Sequence, residues 1–532
     1  MRGFWKKLRE SKVFWLALII ILQSVAYAVA GINKAYIHMD EAYSYGLANY
    51  DRVELIDAPD FYDHWHTGEY YEDYLAIQED EKWDFAPVYN NQRDDVHPPL
   101  YYLFLRLAME IGGNDSYSKW PGIVLNIGIM AMTTVFVFLV AERIMRQEKH
   151  ALTKALVLTL CVGLTVATFD TVLYIRMYAL LTLTVTVTAW LHLKLLDAKK
   201  VEPILLIAIG VVALLGVLTQ YYYLFFLVPL YVYFVVHYVK EKRWKELGWY
   251  TGVLVVAGVL SLVIWPYSIQ HMFFGYRGQG VIGSLLDVST SVLHFGIYIW
   301  LLGQYAFNGV LPGILIAVLV MGVLGLMKGK KIETTFGERS RYGMIFVATL
   351  VYFLIAAVAS PYQDLRYIMA ICGLGFILGV FGLYKVMGAF WSEKIRDIIM
   401  AVFLAIIMVL PLATGNYPPM MYRERAELVA KIEEKREVPA VYVFNTSDQR
   451  FLDDILLFAT LEESYIAKDL EVTDGSVRRI VQEKDLSRGL IVFVNNQLEH
   501  EQIMKTFREA TGLSEQEWMG ELFSCQVYYL SK

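Results

Sequence analysis

Asp40 and Glu41 stand side by side in His38-Met39-Asp40-Glu41-Ala42-Tyr43-Ser44-Tyr45, directly after the first long apolar run. Two carboxylates at the edge of a hydrocarbon layer are costly, so their presence needs a reason. One reason is proton transfer, with Asp40 as the base. The plainer reading is a helix start or a boundary marker, where acidic residues cost little. Three more groups share this character. His97 lies in Asp94-Asp95-Val96-His97-Pro98-Pro99, Arg176 in Tyr174-Ile175-Arg176-Met177-Tyr178, and Arg366 in Asp364-Leu365-Arg366-Tyr367.

Arginine suits phosphate because its planar fork forms paired, charge-assisted hydrogen bonds. An acid, two arginines and an aromatic lining to which Tyr43, Tyr178 and Tyr367 contribute suit an anionic lipid that carries a sugar. Each residue also has a modest explanation. His97 can be a hydrogen-bonded loop residue, Arg176 an interfacial anchor, and Arg366 a partner of Asp364. His97 with Glu41 makes at most a partial site for a divalent metal, since the two are far apart in sequence.

The elements that must position these residues are membrane helices. The chain of 532 residues is 57% hydrophobic and only 19% charged. Apolar runs of about 20 residues, the length that crosses a bilayer, recur through most of it. Spans are expected near 13–32, 119–141, 155–173, 178–196, 203–219, 222–239, 248–268, 310–327, 343–359, 366–386 and 397–414. That makes about 11, or up to 13 if ambiguous segments such as 292–308 also cross. The segment 292–308 reads as a short re-entrant or surface helix, and Pro99–Ile111 as a helix along the membrane surface. Ala28-Val29-Ala30 resembles a signal cleavage site, but the run is long for a signal and reads as a retained first helix.

Charge gives the spans an orientation. Residues 33–98 hold 16 acidic and 4 basic residues, and residues 418–532 hold 21 and 14. The short loops at 142–154, 194–202, 240–247, 328–342 and 387–396 are basic. Basic short loops face the cytoplasm. The N-terminus, with Arg2, Lys6, Lys7, Arg9 and Lys12, is therefore expected inside, and both acidic regions outside. Residues 1–417, including the first outer loop at 33–118, read as one membrane domain. Residues 418–532 read as a small extracytoplasmic α/β domain, with strands at Val441–Phe444, Leu490–Val494 and Val527–Leu530. Its helices are expected at Gln449–Thr460, Ser476–Glu483 and Glu499–Ala510. The three cysteines show neither metal spacing nor a disulfide framework.

The segments at 38–45, 95–102 (Asp-Val-His-Pro-Pro-Leu-Tyr-Tyr) and 175–180 (Ile-Arg-Met-Tyr-Ala-Leu) resemble the GT-C fold glycosyltransferases that use polyprenyl-phosphate sugars. More narrowly, they resemble bacterial relatives of the protein O-mannosyltransferases and lipid A aminoarabinose transferases, a family 39-like group. The resemblance covers roughly residues 10–415. It implies a GT-C membrane fold in a bacterial plasma membrane. It further implies transfer of a sugar from a lipid-phosphate donor to an acceptor hydroxyl on a protein, glycolipid or polysaccharide at the outer face. The family's acidic motif residue falls on Asp40, which implies the base. Glu41 is then a helper, and Arg176 or Arg366 meets the charge of the leaving phosphate. Relatives differ in metal dependence, so a divalent ion stays open. No nucleic-acid partner is expected. The rival readings are a transporter or flippase of lipid-linked sugars and a non-catalytic scaffold or sensor. Acidic residues gathered outside the spans favour chemistry over transport.

Overall fold

With lipid as the solvent, a spanning helix can turn apolar side chains outward, and backbone groups must pair within the helix. The long runs fold accordingly. In the computed structural model, residues 11–532 are described, except 51–54, 114–115, 276–287, 331, 333 and 446–450, with backbone alone at 288–291. The glycine-rich stretch expected as an outer loop at Gly275–Gly280 lies outside the described residues from 276 onward. So do Arg2, Lys6, Lys7, Arg9 and Lys331, and the described part of the expected helix at Gln449–Thr460 begins at Phe451.

Chain contacts define two compact units. The helical unit comprises Met1–Ala30, Gln92–Tyr101 and Ile123–Pro418. The sheet unit comprises Gly31–Asn91, Tyr102–Gly122 and Pro419–Lys532. The sequence division kept the whole first outer loop with the membrane body, whereas these contacts group most of that loop with the C-terminal segment.

In the helical unit, eight helices among the described residues are long and apolar enough to cross a membrane, or ten if two bent pairs each count as one span. Pro203–Thr219 is a shorter apolar helix. Trp244–Ile264 turns Val255, Val256, Val259 and Val263 outward, all more than half exposed, as a lipid-facing helix would. Tyr178–Asp197 and Met369–Met387 are largely buried within the unit. The buried threonines of Tyr178–Asp197 satisfy their hydroxyls locally: Thr182 donates to the Tyr178 carbonyl at 2.8 Å and Thr186 to the Thr182 carbonyl at 2.7 Å.

The run expected as one span at 155–173 is broken. Ala151–Gly163 and Val166–Leu173 meet at 56°, with Thr165 capping the second helix through the Thr168 N–H. The ambiguous segment is bent more sharply. Val292–Ala306 meets Leu311–Met327 at 106°, the geometry of a broken span or a re-entrant loop. The helix expected from Pro99 forms at Leu100–Gly112.

The sheet unit is built on six strands in the order β1-β3-β2-β4-β6-β5. They are β1 (Trp65–Thr67), β2 (Ala440–Phe444), β3 (Glu463–Lys468), β4 (Leu490–Asn495), β5 (Glu515–Glu521) and β6 (Cys525–Ser531). β2 runs parallel to β3 and β4, and the other pairings are antiparallel. Fully buried runs such as Ala440–Phe444 and Leu490–Asn495 are what central strands covered on both faces require. Val441, Val492, Val494 and Leu530 pack on one face against Val477, Met504 and Phe507 of the helices Asp474–Val481 and His500–Thr511. β1 comes from the first outer loop and pairs Trp65 with Tyr465 at the sheet edge.

Candidate functional site

The acidic pair begins an 11-residue helix, Met39–Asn49, in the sheet unit. His38 is its N-cap. The His38 Nδ1 accepts the Asp40 N–H at 3.0 Å, and the Glu41 carboxylate accepts the His38 N–H at 2.8 Å, which closes a capping box. The two acids then part in role. Glu41 is fully buried, and its Oε2 lies 3.0 Å from the Lys34 ammonium, itself fully buried and donating to the Met420 carbonyl at 2.7 Å. The Asp40 side chain is 20% exposed. Its Oδ2 is 3.7 Å from His38 Nδ1. That nitrogen also accepts the Asp40 N–H. Asp40 is thus the reachable carboxylate, at a helix N-terminus that favours negative charge. Tyr43, one turn on, is half-buried on the same helix.

A second acidic pair holds this helix from the C-terminal segment. Asp453 is 2% exposed, and its Oδ1 accepts the Met39 N–H at 2.8 Å, one of the N-terminal donors the helix cannot satisfy itself. Asp454 is fully buried and accepts from Ser524 Oγ at 3.1 Å. Burial, then the neighbouring Asp453, pushes the Asp454 carboxyl up to about 8 against the opposing pull of Arg425. The Arg425 guanidinium lies 3.9 Å from the centre of the Phe523 ring and also faces Tyr36 and Tyr422.

The other predicted residues belong to the helical unit. His97 Nδ1 donates to Asp95 Oδ2 at 2.7 Å. Burial alone would raise the Asp95 carboxyl, but His97 and then Arg176 more than offset it and hold it below the usual carboxylate range. Asp95 therefore ties His97 and Arg176 to one ionised group. Arg176 is 5% exposed, in the turn between Val166–Leu173 and Tyr178–Asp197. Its N–H donates to the Tyr174 carbonyl at 2.7 Å. Asn126 fixes that turn by donating to the Val172 and Tyr174 carbonyls, each at 3.0 Å, while Tyr101 donates to Asn126 Oδ1 at 3.1 Å.

The same turn reaches Arg366, whose Nη1 donates to Tyr174 Oη at 3.0 Å. Tyr174 stacks on Tyr178 with ring centres 5.6 Å apart. The Arg366 guanidinium lies 5.1 Å from the Tyr367 ring centre, and Tyr367 packs on Tyr222 at 5.7 Å. Asp364 caps the short turn by accepting the Arg366 N–H at 2.9 Å. It therefore holds the backbone of Arg366, while the guanidinium extends to Tyr174. Arg366, Tyr367 and Tyr178 thus join one aromatic cluster, and His97 pairs with Asp95, whose charged form Arg176 also favours.

Asp95, Asn126 and Asp453 escaped sequence reasoning. Asp95 stands two residues from His97, and Asn126 is the only amide in the apolar helix Trp120–Met145, so both had a signal. Asp453 had none, since its partner Met39 is remote in sequence. Asp170, expected in an outer turn, is 1% exposed within the short helix Val166–Leu173.

The donors do not fit a resident divalent ion. Glu41, one of the two proposed ligands, is already neutralised by a buried ammonium. Among the described residues no three His, Cys, Asp or Glu side chains are grouped to hold a metal.

Residues 96–265, less than half of the chain, match the family model described as dolichyl-phosphate-mannose-protein mannosyltransferase. The stretch includes His97, Asn126, Arg176 and Tyr178. No curated protein matches. Among solved structures, the chain is similar to ArnT from Cupriavidus metallidurans bound to undecaprenyl phosphate, with 11% identity, 98% of each chain covered and a TM-score of 0.44. It is also similar to the archaeal oligosaccharyltransferase AglB from Archaeoglobus fulgidus, at 9% identity, 91% of this chain, 70% of that one and a TM-score of 0.45. A third is the arabinofuranosyltransferase AftD from Mycobacteria, at 10% identity, 97% of this chain, 40% of that one and a TM-score of 0.42.

Proposed function

We propose that the chain is an inverting membrane glycosyltransferase of the GT-C type. It moves a sugar from a polyprenyl-phosphate donor to an acceptor hydroxyl at the outer face of the plasma membrane. Asp40 takes the hydroxyl proton as the acceptor oxygen bonds to the anomeric carbon. The bond from that carbon to the phosphate oxygen breaks through an oxocarbenium-like state, by analogy with glycoside hydrolysis. A single displacement inverts the centre. The leaving polyprenyl phosphate gains negative charge, which Arg176 or Arg366 stabilises. His97, held by Asp95, and Tyr43, Tyr178 and Tyr367 line the substrates.

The observation that carries this reading is the asymmetry of the acidic pair. Glu41 is buried against Lys34, whereas the Asp40 side chain is 20% exposed. The family match at 96–265 supports the donor class. The test incubates the purified protein with radiolabelled polyprenyl-phosphate sugars and candidate protein, glycolipid and polysaccharide acceptors. Asp40→Asn should lower transfer by roughly 10²–10⁴-fold, the range for loss of a general base. Transfer that survives the substitution removes Asp40 from this role. Sugar that crosses a vesicle membrane without being transferred would favour the transporter.

A further inference from the structure

The helical unit carries a second concentration of charge that the transfer reaction does not use. Three helix ends meet at Asp197, the last residue of Tyr178–Asp197. Arg143, in the last turn of Trp120–Met145, and Arg146, just beyond it, donate to Asp197 Oδ2 at 2.8 and 2.9 Å. Arg341, early in Phe336–Ala359, donates through Nη1 to Oδ1 at 3.1 Å. One carboxylate can balance only one of three guanidinium groups, so two positive charges remain. Among the described residues the nearby acids do not supply the difference. Glu142 faces Lys12, and Glu148 and Glu338 share Lys385. That trio leaves one negative charge over, and Lys194, whose ammonium lies over the Trp190 ring at 4.8 Å, adds one positive charge to the count.

Arg341 makes the imbalance specific. Its side chain is 1% exposed, yet Nε and Nη2 have no hydrogen-bond partner among the described residues. Buried guanidinium donors that serve only to hold helices together are normally bonded, because an unmet buried donor costs free energy. Burial, reinforced by Arg341 and Arg143 and opposed by Asp197, also lowers the proton affinity of Arg146, as expected where positive charge is in excess.

Beside this cluster lies an open groove of about 430 Å³. Arg143, Arg146 and Lys194 give it a basic rim that also includes Glu142, whose carboxylate faces Lys12, and Leu139, Leu152 and Trp190 form apolar walls. A basic rim over apolar walls at the ends of spanning helices matches an amphiphile with an anionic head. The basic loops that contain Arg143, Arg146 and Arg341 assign this end to the cytoplasmic leaflet.

We infer that the groove and the Arg143–Arg146–Arg341 cluster form a binding site for the phosphodiester headgroup of an anionic membrane lipid. The guanidinium groups take the phosphate oxygens, and the acyl chains lie along Leu139, Leu152 and Trp190.

The test uses the full-length protein, delipidated in neutral detergent. It is titrated with phosphatidylglycerol, with phosphatidylcholine and with inorganic phosphate, and bound lipid is counted by native mass spectrometry. Phosphatidylglycerol should bind at least about tenfold more tightly than phosphatidylcholine, as bidentate charge-assisted bonds imply. Arg146→Gln and Lys194→Gln should each weaken it about fivefold, one basic residue's share of the attraction. Both residues are at the groove rim, so these variants are expected to fold even if Arg341→Gln does not. Equal affinity for the two lipids would overturn the inference, as would phosphatidylglycerol binding unchanged in both rim variants. Displacement of the lipid by inorganic phosphate at comparable concentration would overturn it in favour of a soluble phosphate ligand.

Discussion

Asp95 and Asp454 are carboxyl groups drawn into the protein in different units, and they are driven in opposite directions. Both are penalised by burial. At Asp95 the penalty is overcome by His97 at 2.7 Å and by Arg176. At Asp454 the neighbouring Asp453 adds to the penalty, and Arg425 is too weak an opponent. Asp95 is therefore an ionised anchor for the His97 ring, and Arg176 adds to its stabilisation. Asp454 is a neutral structural acid in the neutral range, and it accepts from Ser524 without competing with Asp453 for the Met39 N–H. The same residue type is thus held ionised where cations converge on it and neutral where a second acid does.

The strongest test of this contrast is Asp95→Asn. It removes the anion while keeping the size of the side chain, so His97 is left with at most a neutral amide acceptor. Transfer should fall roughly 10- to 100-fold, the usual penalty when the partner that orients a functional histidine is lost. Unchanged folding by thermal denaturation would assign the loss to positioning. If activity stays within about twofold (under 0.5 kcal/mol of transition-state stabilisation), Asp95 is only a packing residue like Asp454.

The next effect is on stability and has the opposite sign at the two sites. Asp95, held low, contributes stability that is present above its unfolded value and fades as pH falls through the folded one. Asp454, raised to about 8, contributes stability that is complete below the unfolded value of 3.8 and is lost as pH rises towards 8. The upper bound on that loss is on the order of 5 kcal/mol. Asp454→Asn cannot ionise, so it should raise the thermal midpoint at pH 8 by about 5 °C and at pH 5 by about a third as much. A variant no more stable than the wild type at pH 8 would mean that Asp454 is already ionised and paired.

Much of the helical unit was legible because a membrane span is a composition signal that needs no tertiary knowledge. The break at Thr165 was not, although a threonine after Gly163-Leu164 is a reasonable cap. In the sheet unit the buried strands β2, β4 and β6 were readable from their apolar runs. β3 carries Glu463, Ser464 and Lys468, and five of the seven residues of β5 are exposed apart from a short buried pair. Neither shows the period of a buried strand. β1 is three residues long within an acidic loop, and only its pairing with Tyr465 defines it. The site followed the same division. Asp40, His97, Arg176 and Arg366 announced themselves as polar groups beside apolar runs, whereas partners such as Asp453 at Met39 and Tyr174 at Arg366 reach across long sequence separations. The separate fates of Asp40 and Glu41 could not be read either, because Lys34 and Glu41 are ordinary loop residues until both are buried.

The smallest expected effect concerns Arg366, where geometry can be separated from charge. Arg366→Lys keeps the positive charge but loses the planar fork that bonds Tyr174 Oη and faces Tyr367. If Arg366 meets the developing charge of the leaving phosphate, the lysine variant should lose roughly three- to tenfold in kcat with little change in donor KM. Arg366→Gln, which lacks the charge, should lose about another tenfold. If Arg366 instead holds the Tyr174–Tyr178 stack, both variants should fall together and the thermal midpoint should drop with them. Equal loss in the two variants would leave Arg176, already tied to Asp95, as the residue that meets the phosphate. It would also place Arg366 with Asp454 among the groups whose burial serves packing.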